Sequence, residues 1–180
     1  ESEGLMKKIK KMTGVSDNLS FVYNPHFEKQ NEISAESKFI KPDYRYILGL
    51  GRLTKQKNFK LLIQSFSLID DSYGVKLIII GDGEERARLK KFMKKLKMDS
   101  KIKFLGNLEE PLGYIENAEM LVISSLWEGL PRVAIEAQAL KTPIVSACYE
   151  GGLGEILMDG KAGIITRKNN VDDMKKAMDT

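Results

Sequence analysis

Short runs of β-branched and aliphatic residues alternate with amphipathic segments from Tyr44 to the end of the chain. The apolar runs are nearly free of polar residues, which is typical of strands buried on both faces. They predict strands at 45–50, 75–80, 101–105, 120–124, 143–147 and 162–166. The intervening segments carry apolar residues at helical spacing. They predict helices at roughly 58–70, 84–97, 111–117, 131–141, 152–158 and 171–179.

This alternation predicts the fold class, because parallel strands joined by helices need right-handed crossover connections. We expect an α/β domain built as a Rossmann-like, doubly wound parallel sheet with three α/β/α layers. Ligands of such sheets bind at the carboxyl ends of the strands, close to helix N-termini. The residues that carry chemistry are therefore expected in the loops that follow the strands.

The first 41 residues follow a different pattern. Apolar residues at helical spacing predict a helix that ends at Gly14: Leu5, Met6, Ile9 and Met12. A short apolar run predicts a strand at 19–23, and the polar stretch 28–38 is typical of a linker. We therefore divide the chain into a connecting segment, 1–41, and a ligand-binding domain, 42–180.

Composition narrows the class of protein. Hydrophobic residues make up 42% of the 180 residues and charged residues 30%, which is typical of a globular domain. The net charge of +4 raises the question of a nucleic-acid partner. However, the lysines are interspersed with acids and no aromatic residues interleave with them, so we predict no nucleic-acid binding. The single cysteine, Cys148, excludes an internal disulfide and fits a cytoplasmic location.

The segment 84–97 has two interpretations. Its apolar stripe (Leu89, Phe92, Met93 and Leu96) lies opposite five lysines: Lys90, Lys91, Lys94, Lys95 and Lys97. A helix lying on a membrane surface has this pattern. The solvated outer helix of an α/β domain has it too, and we favour that interpretation.

The first candidate site follows strand 45–50 and begins at Gly49 and Gly51. Arg52 and Lys57 then flank the start of the next helix, where two cations and a helix N-terminus are suited to a diphosphate. The stretch is neither a Walker loop nor a dinucleotide-binding Gly-x-Gly-x-x-Gly pattern. A turn with solvated basic residues is the alternative.

Two further glycine turns follow buried strands. Gly81-Asp82-Gly83 follows strand 75–80, and Asp82 is a candidate cap for the next helix. The stretch 149–155, Tyr-Glu-Gly-Gly-Leu-Gly-Glu, follows strand 143–147 and places Glu155 at the start of a helix. Such a loop either surrounds a sugar phosphate or simply connects two elements.

The strongest signal is the stretch from Ser124 to Ala137. Pro131 suits the first turn of a helix, so the N–H groups around Gly129 and Leu130 are expected to point outward. Glu136 lies among apolar neighbours, where a carboxylate needs a hydrogen-bonding partner such as a vicinal diol. Glu128 precedes the same helix. The alternative is that Glu136 pairs with a lysine or arginine and Glu128 is a solvated loop residue.

At these residues the chain resembles the C-terminal domain of family-4 retaining glycosyltransferases, one half of the GT-B fold. The resemblance runs from about Leu19 to Ala177. Its specific part is the Glu128-x7-Glu136 spacing with Gly129-Leu130-Pro131 inside it. The supporting parts are Gly51-Arg52-Leu53 with Lys57-Asn58, Gly81-Asp82-Gly83, Phe104-Leu105-Gly106, and Gly151-Gly152 with Glu155.

The resemblance implies roles for these positions. Arg52 and Lys57 would bind the donor diphosphate as the nucleotide leaves, and Glu128 would contact the transferred sugar. Glu136 would bind the ribose diol. The other implied donor-binding residues are Gly51, Gly81, Lys103, Gly106, Asn107, Gly129, Leu130, Pro131, Val133 and Glu155, of which Lys103 to Asn107 would border the base. The sequence contains no Asp-x-Asp, so no metal and no other cofactor is expected.

The resemblance also sets the expected function and partners. The donor would be a nucleoside-diphosphate sugar, with UDP as the expected nucleotide, and transfer would retain the anomeric configuration. The acceptor, a glycan or a lipid-linked sugar, would bind an N-terminal domain absent from this chain. We therefore expect a fragment, truncated at its C-terminal helices, that binds nucleotide but transfers sugar poorly. The parent enzyme would act in the cytoplasm, at the inner face of the membrane.

Two alternatives stay open at this point. One is an enzyme similar to glycogen, starch or sucrose synthases, which share the clamp and the glutamate pair. The other is a nucleotide-binding or interaction module of the same fold without catalysis.

Overall fold

The computed structural model describes residues 3–14, 39–147 and 151–179. The predicted strand at 19–23, the linker at 28–38, Cys148 and the start of the last glycine turn lie outside the described residues. The strands are β1 (Tyr46–Leu50), β2 (Lys76–Ile80), β3 (Ile102–Gly106), β4 (Met120–Ile123), β5 (Ile144–Ser146) and β6 (Ile164–Ile165). The α-helices are α1 (Glu3–Thr13), α2 (Phe59–Phe66), α3 (Arg86–Lys95), α4 (Leu112–Glu116), α5 (Arg132–Ala139), α6 (Gly152–Ile156) and α7 (Val171–Met178).

The six strands form one parallel sheet with the order β3-β2-β1-β4-β5-β6. From β1 the chain proceeds to β2 and β3 on one side of the sheet, and from β4 it proceeds to β5 and β6 on the other. This is the doubly wound order, and its switch point lies between β1 and β4. The predicted fold class is confirmed.

Alternate residues of the strands pack into two separate cores. Ile47, Leu77 and Ile79 belong to the core beneath α2, α3 and α7, whereas Leu48 and Ile78 belong to the core beneath α4, α5 and α6. These side chains are at most 1% exposed, so the central strands are buried on both faces and the sheet forms the middle of three layers. This burial explains the continuous apolar runs in the sequence.

The predicted bounds need small corrections. Helix 58–70 is shorter than predicted, because α2 ends at Phe66 and a separate 3-10 turn follows at Asp71–Tyr73. Predicted helix 84–97 begins at Arg86, and predicted strand 162–166 shortens to two residues. The helix at the start of the chain is present, although its predicted apolar face is open to solvent at Met12, which is 77% exposed.

Within helix α3, the structure agrees with the interpretation of a solvated outer helix. Leu89 and Met93 are buried against the core, and Phe92 and Leu96 pack partly against it. The lysines at 90, 91, 94 and 95 are exposed.

Candidate functional site

The loops after β1 and β4 meet at the switch point of the sheet. The backbone N–H of Leu126 donates to the carbonyl of Gln56 at 2.8 Å, and the side chain of Gln56 donates to the carbonyl of Trp127 at 2.9 Å. The hydroxyl of Ser124 donates to the carbonyl of Lys57 at 2.8 Å. Three hydrogen bonds thus fix the backbone of one loop against the other at the carboxyl edge of the sheet.

Lys57 and Glu128 form an ion pair across this junction. The ammonium of Lys57 lies 2.7 Å from Oε1 of Glu128, and the hydroxyl of Ser125 donates to the same oxygen at 2.5 Å. The side chain of Glu128 is only 6% exposed and that of Lys57 22%. The alternative in which Glu128 is a solvated loop residue is therefore wrong. With these two donors, the buried carboxylate of Glu128 is held in one position at the carboxyl edge of the sheet.

Arg52 lies in the same loop as Lys57 but in a different environment. Its side chain is exposed, and it forms no ion pair with any residue that the structure describes. The guanidinium is available for a phosphate, which it recognises through two parallel N–H groups. Arg52 is thus an exposed cation, whereas Lys57 is half-buried and paired.

Position 81 has room only for a glycine, because the loop after β1 packs directly against it. Its φ is +133°, and a Cβ built there would lie 2.0 Å from the carbonyl oxygen of Gly51. The N–H of Gly81 also donates to the carbonyl of Gly106 at 2.7 Å. The close approach predicted for a ligand at Gly81 is therefore made by the backbone of Gly51. Three predicted glycines, which follow β1 and β2 and end β3, lie together.

Asp82 is not the helix cap that the sequence suggested. Its carboxylate accepts from the N–H of Gly83 at 2.8 Å and from the guanidinium of Arg86 at 2.7 Å, whereas α3 begins only at Arg86. The N–H groups of Glu85 and Arg86 at the start of the helix donate to the carbonyls of Leu53 and Gly83. Asp82 instead holds Arg86, whose Nη2 lies 3.9 Å from the position of a Cβ on Gly106.

The predicted residues at the end of β3 separate into two groups. Gly106 and Asn107 lie at the carboxyl edge, where Asn107 is exposed. Lys103 does not lie there, because it pairs with Ile78 in the middle of β2 and its ammonium lies 4.7 Å from the centre of the Tyr44 ring. Tyr44 precedes β1, so Lys103 reaches toward the amino end. The structure does not bring Lys103 to the candidate site.

The loop before α5 contributes the predicted motif residues. Pro131 occupies the cap position, with φ −72° and ψ 115°, one residue before the place predicted for it, and Arg132 begins the helix. Gly129, Leu130 and Val133 are half-buried beside it. This loop follows β4, so it lies at the same edge of the sheet as the pair of Lys57 and Glu128.

Glu136 lies on the second turn of α5. Its side chain is 13% exposed, and Oε1 lies 3.3 Å from Nη2 of Arg132, whose side chain is 67% exposed. Pairing with an arginine, one of the two sequence interpretations, is thus observed. The helix is less buried than predicted, because Ala139 is exposed and only Ala134 and Ala137 are fully buried.

The described end of the last glycine turn packs against the motif loop. Gly151 has φ +82°, and a Cβ there would lie 2.1 Å from the carbonyl oxygen of Glu128. The N–H of Gly152 donates to the carbonyl of Gly129 at 2.6 Å. Glu155 follows in the first turn of α6 and is half-buried. This end of the turn supports the backbone of Glu128, in addition to any contact with a ligand.

The sequence interpretation assigned no role to four residues that build the site: Gln56, Ser124, Ser125 and Arg86. The signal for the two serines was present, because two hydroxyls directly after a buried strand need partners when they are themselves buried. Both serines are at most 3% exposed. Gln56 and Arg86 gave no such signal, since polar residues in loops are usually solvated.

Among the described residues, no group of three His, Cys, Asp or Glu side chains could hold a metal ion. Within the same parts of the chain, no helix is both long and apolar enough to cross a bilayer. The expectations of metal-independent chemistry and of a cytoplasmic parent enzyme stay predictions.

Similarity to known proteins extends over most of the chain. The family model for group 1 glycosyl transferases matches residues 30–180. An uncharacterized glycosyltransferase of Methanocaldococcus jannaschii is 34% identical over 165 residues, covering 84% of this chain and 39% of the relative. A Campylobacter jejuni enzyme is 29% identical over 136 residues, covering 76% of this chain and 37% of the enzyme. It is named N-acetylgalactosamine-N,N'-diacetylbacillosaminyl-diphospho-undecaprenol 4-alpha-N-acetylgalactosaminyltransferase.

A solved structure shares the fold over nearly the whole chain. A variant of S. aureus TarM, in complex with UDP and alpha-GlcNAc-glycerol among other ligands, superimposes with a TM-score of 0.77 at 21% identity. The match covers 99% of this chain and 35% of that protein. The chain therefore spans well under half the length of these relatives. The division into a connecting segment and a ligand-binding domain stays a prediction.

Proposed function

Because the chain belongs to the group 1 glycosyl transferases, we propose that its carboxyl edge binds a nucleoside-diphosphate sugar, with UDP as the nucleotide. The complete enzyme would transfer a hexosyl or N-acetylhexosaminyl group to a glycan or a lipid-linked acceptor. Transfer would retain the anomeric configuration and need no metal ion. The UDP complex of the similar TarM structure and the name of the Campylobacter relative support these choices of donor and acceptor.

One observation carries the proposal: the pair of Lys57 and Glu128 across the switch point. Doubly wound sheets bind ligands at this place. The two groups have the chemistry that a sugar diphosphate requires, since an ammonium binds phosphate oxygens and a carboxylate accepts from sugar hydroxyls. Burial of Glu128 by the surrounding loops fixes the carboxylate before any ligand arrives.

The chemistry assigned to these residues follows from the bond that breaks. Cleavage between the anomeric carbon and the phosphate oxygen leaves an additional negative charge on the diphosphate. Cations held in place by the fold stabilise that charge more effectively than mobile solvent does. Lys57 and the exposed guanidinium of Arg52 would supply them, with the free N–H groups at the start of α5. Glu128 would hold the sugar through its hydroxyls.

The acceptor would bind elsewhere in the parent protein. The chain spans 39% of the M. jannaschii relative and 37% of the C. jejuni relative, so both are much longer than this domain. We propose that the acceptor and part of the donor sugar contact an N-terminal domain. The chain by itself would then bind the donor and transfer sugar poorly.

The experiment is calorimetric titration of the chain with UDP, GDP and ADP in the absence of metal. We expect selective binding of one nucleotide and a loss of about tenfold or more in Lys57→Ala, since a charge-assisted contact contributes roughly 1.5–3 kcal/mol. Lys60→Ala is the matched control, because Lys60 is an exposed lysine on the outer surface of α2. Absence of binding for every nucleotide would contradict the proposal and favour a module without donor-binding activity.

A further inference from the structure

We propose that Glu128 competes with the diphosphate of the ligand for Lys57, and that Ser125 is the positioning residue that holds Glu128 after Lys57 has moved to the phosphates. This inference rests on the proposed function, which places a diphosphate near Lys57. It adds an exchange of partners within the site, and it assigns a role to Ser125, which had none in the sequence interpretation.

The contacts of Glu128 carry this inference. Both donors, the ammonium of Lys57 at 2.7 Å and the hydroxyl of Ser125 at 2.5 Å, bind the same oxygen, Oε1. The charge of Lys57 is thus neutralised by a carboxylate that is 6% exposed. A diphosphate that approaches the ammonium also approaches this carboxylate, and like charges repel strongly where water is excluded.

The two donors differ in their freedom to move. Ser125 is the second residue after β4, is 2% exposed and has a short side chain, so its hydroxyl has little room to move. The backbone of Lys57 is held by the hydroxyl of Ser124, but its ammonium is carried on a flexible four-carbon stem. The ammonium can therefore turn toward a phosphate while its backbone stays in place.

Ser125 is suited to the second state of the site. A buried carboxylate that loses its cation needs another hydrogen-bond donor to remain charged and in position. The serine hydroxyl supplies that donor and, being neutral, exerts little attraction on the phosphates. Glu128 would then stay oriented toward the sugar when Lys57 has left it.

This exchange makes an unusual prediction about affinity. Replacing Glu128 by the isosteric glutamine removes the competing charge and keeps an oxygen for both donors. We expect Glu128→Gln to bind the diphosphate about tenfold more tightly, because the repulsion between the charges is lost. Ser125→Ala should weaken binding about fivefold, because the bound state leaves Glu128 without its remaining donor.

The test is calorimetric titration of wild type, Glu128→Gln, Ser125→Ala and the double variant with pyrophosphate, UDP and uridine. The expected result is tighter binding of pyrophosphate and UDP by Glu128→Gln, with uridine unchanged. Ser125→Ala should weaken diphosphate binding in the wild-type background and have no effect in the Glu128→Gln background, which is the signature of coupling between the residues. Ser125→Thr, which keeps the hydroxyl, should restore the affinity.

Three outcomes would overturn the inference. Weaker diphosphate binding by Glu128→Gln would make Glu128 a support for Lys57 and not its competitor. Equal losses from Ser125→Ala in both backgrounds would reduce Ser125 to a general structural role. No binding of pyrophosphate by any of the four proteins would also exclude a diphosphate at Lys57. By contrast, the expected pyrophosphate changes without nucleotide binding would support the exchange and refute only the proposed nucleotide donor.

Discussion

Strands β1 and β4 are bridged by an ion pair at each end, and the two pairs differ in their environment. Before the strands, Arg45 binds Glu119 through two hydrogen bonds of 3.0 Å, with side chains 66% and 38% exposed. After the strands, the side chains of Lys57 and Glu128 are only 22% and 6% exposed. Exposed pairs contribute little to stability, whereas buried pairs need further hydrogen bonds to offset desolvation. Burial with a second donor marks the pair that we assign to function.

The two ends also differ in the groups that they present. A cavity of about 600 Å³ lies at the amino end, and its lining includes the apolar side chains of Ile69, Val75 and Met178. The glycine turns, the exposed guanidinium of Arg52 and the start of α5 lie at the other end. The apolar cavity and the groups suited to a phosphate therefore lie at opposite ends of the same strands. The chemistry decides the assignment, since phosphates need cations and N–H groups rather than apolar space.

The largest expected effect concerns the tight contact between the loops at the carboxyl end. In Gly81→Ala the new Cβ would lie 2.0 Å from the carbonyl oxygen of Gly51, so the backbone must shift. We expect the free energy of unfolding to fall by about 3–5 kcal/mol, as for other severe backbone conflicts. Urea unfolding measures the change.

Gly74→Ala is the control, because Gly74 also has a positive φ (+62°) but no atom lies within 4 Å of its Cβ position. Its cost should stay near 1 kcal/mol, the strain of the left-handed conformation alone. Similar losses in both variants would mean that the contact between the glycine turns contributes nothing to the rigidity of the carboxyl end.

The next prediction distinguishes Arg52, which is exposed, from Lys57, which is paired with Glu128. Arg52→Ala should weaken UDP binding about tenfold, because one charge-assisted contact to the diphosphate is lost. Its effect on stability should be within about 0.5 kcal/mol, since the side chain has no partner to lose among the described residues. Calorimetry and thermal unfolding measure the two quantities.

Lys55→Ala is the matched control for Arg52, as Lys55 is an exposed cation of the same loop. An equal loss of UDP affinity in both variants would indicate that the loop attracts anions through its general charge. The diphosphate clamp assigned to Arg52 would then be wrong.

The third effect concerns Glu136, which lies away from the junction of the two loops. If its carboxylate binds the ribose diol, Glu136→Ala should weaken UDP about tenfold and 2′-deoxy-UDP by much less, because the deoxy ligand lacks one donor. The ratio of the two affinities is the measurement. Arg132→Ala serves as its comparison, because it removes the present partner of Glu136 and leaves the carboxylate in place. An unchanged ratio in Glu136→Ala would remove this residue from the ribose site.

The sequence predicted the fold because the central strands are buried on both faces. A strand such as β2, with four buried residues in a row, must consist of a continuous run of apolar residues. The helices between such strands require parallel pairing. Element ends were less predictable. The 3-10 turn after α2 and the turn between Asp82 and α3 depend on contacts with distant segments, which a local pattern does not contain.

The sequence predicted those parts of the candidate site that contain residue types with few structural roles at such positions. Glycine turns after buried strands and two acids around a helix start indicated the carboxyl edge, and the structure brings most of those residues together. Partners were not predictable, because Lys57 and Glu128 are far apart in sequence and meet only through the order of the strands. The predicted position of Lys103 differed for a related reason, because strand register determines which end of the sheet a side chain reaches.

The smallest effect tests the exposed pair at the amino end. The hydrogen bonds from Arg45 hold the pKa of Glu119 below its ordinary value. A lowered pKa in the folded state stabilises the protein above the pKa of the unfolded chain, and this contribution disappears as the pH falls through the folded-state pKa. Glu119→Gln should therefore cost less than about 1 kcal/mol at pH 7, and the difference from wild type should shrink toward zero well below about pH 4.

Urea unfolding at several pH values measures this difference, with Glu116→Gln as an exposed, nearby control. A loss of several kcal/mol at pH 7 would contradict the contrast between the two pairs, because it would give the exposed pair the weight of a buried one. A small loss that vanishes in acid would support the contrast. Only the buried pair of Lys57 and Glu128 would then need a functional explanation. The exposed pair then needs none beyond weak attraction between two solvated groups.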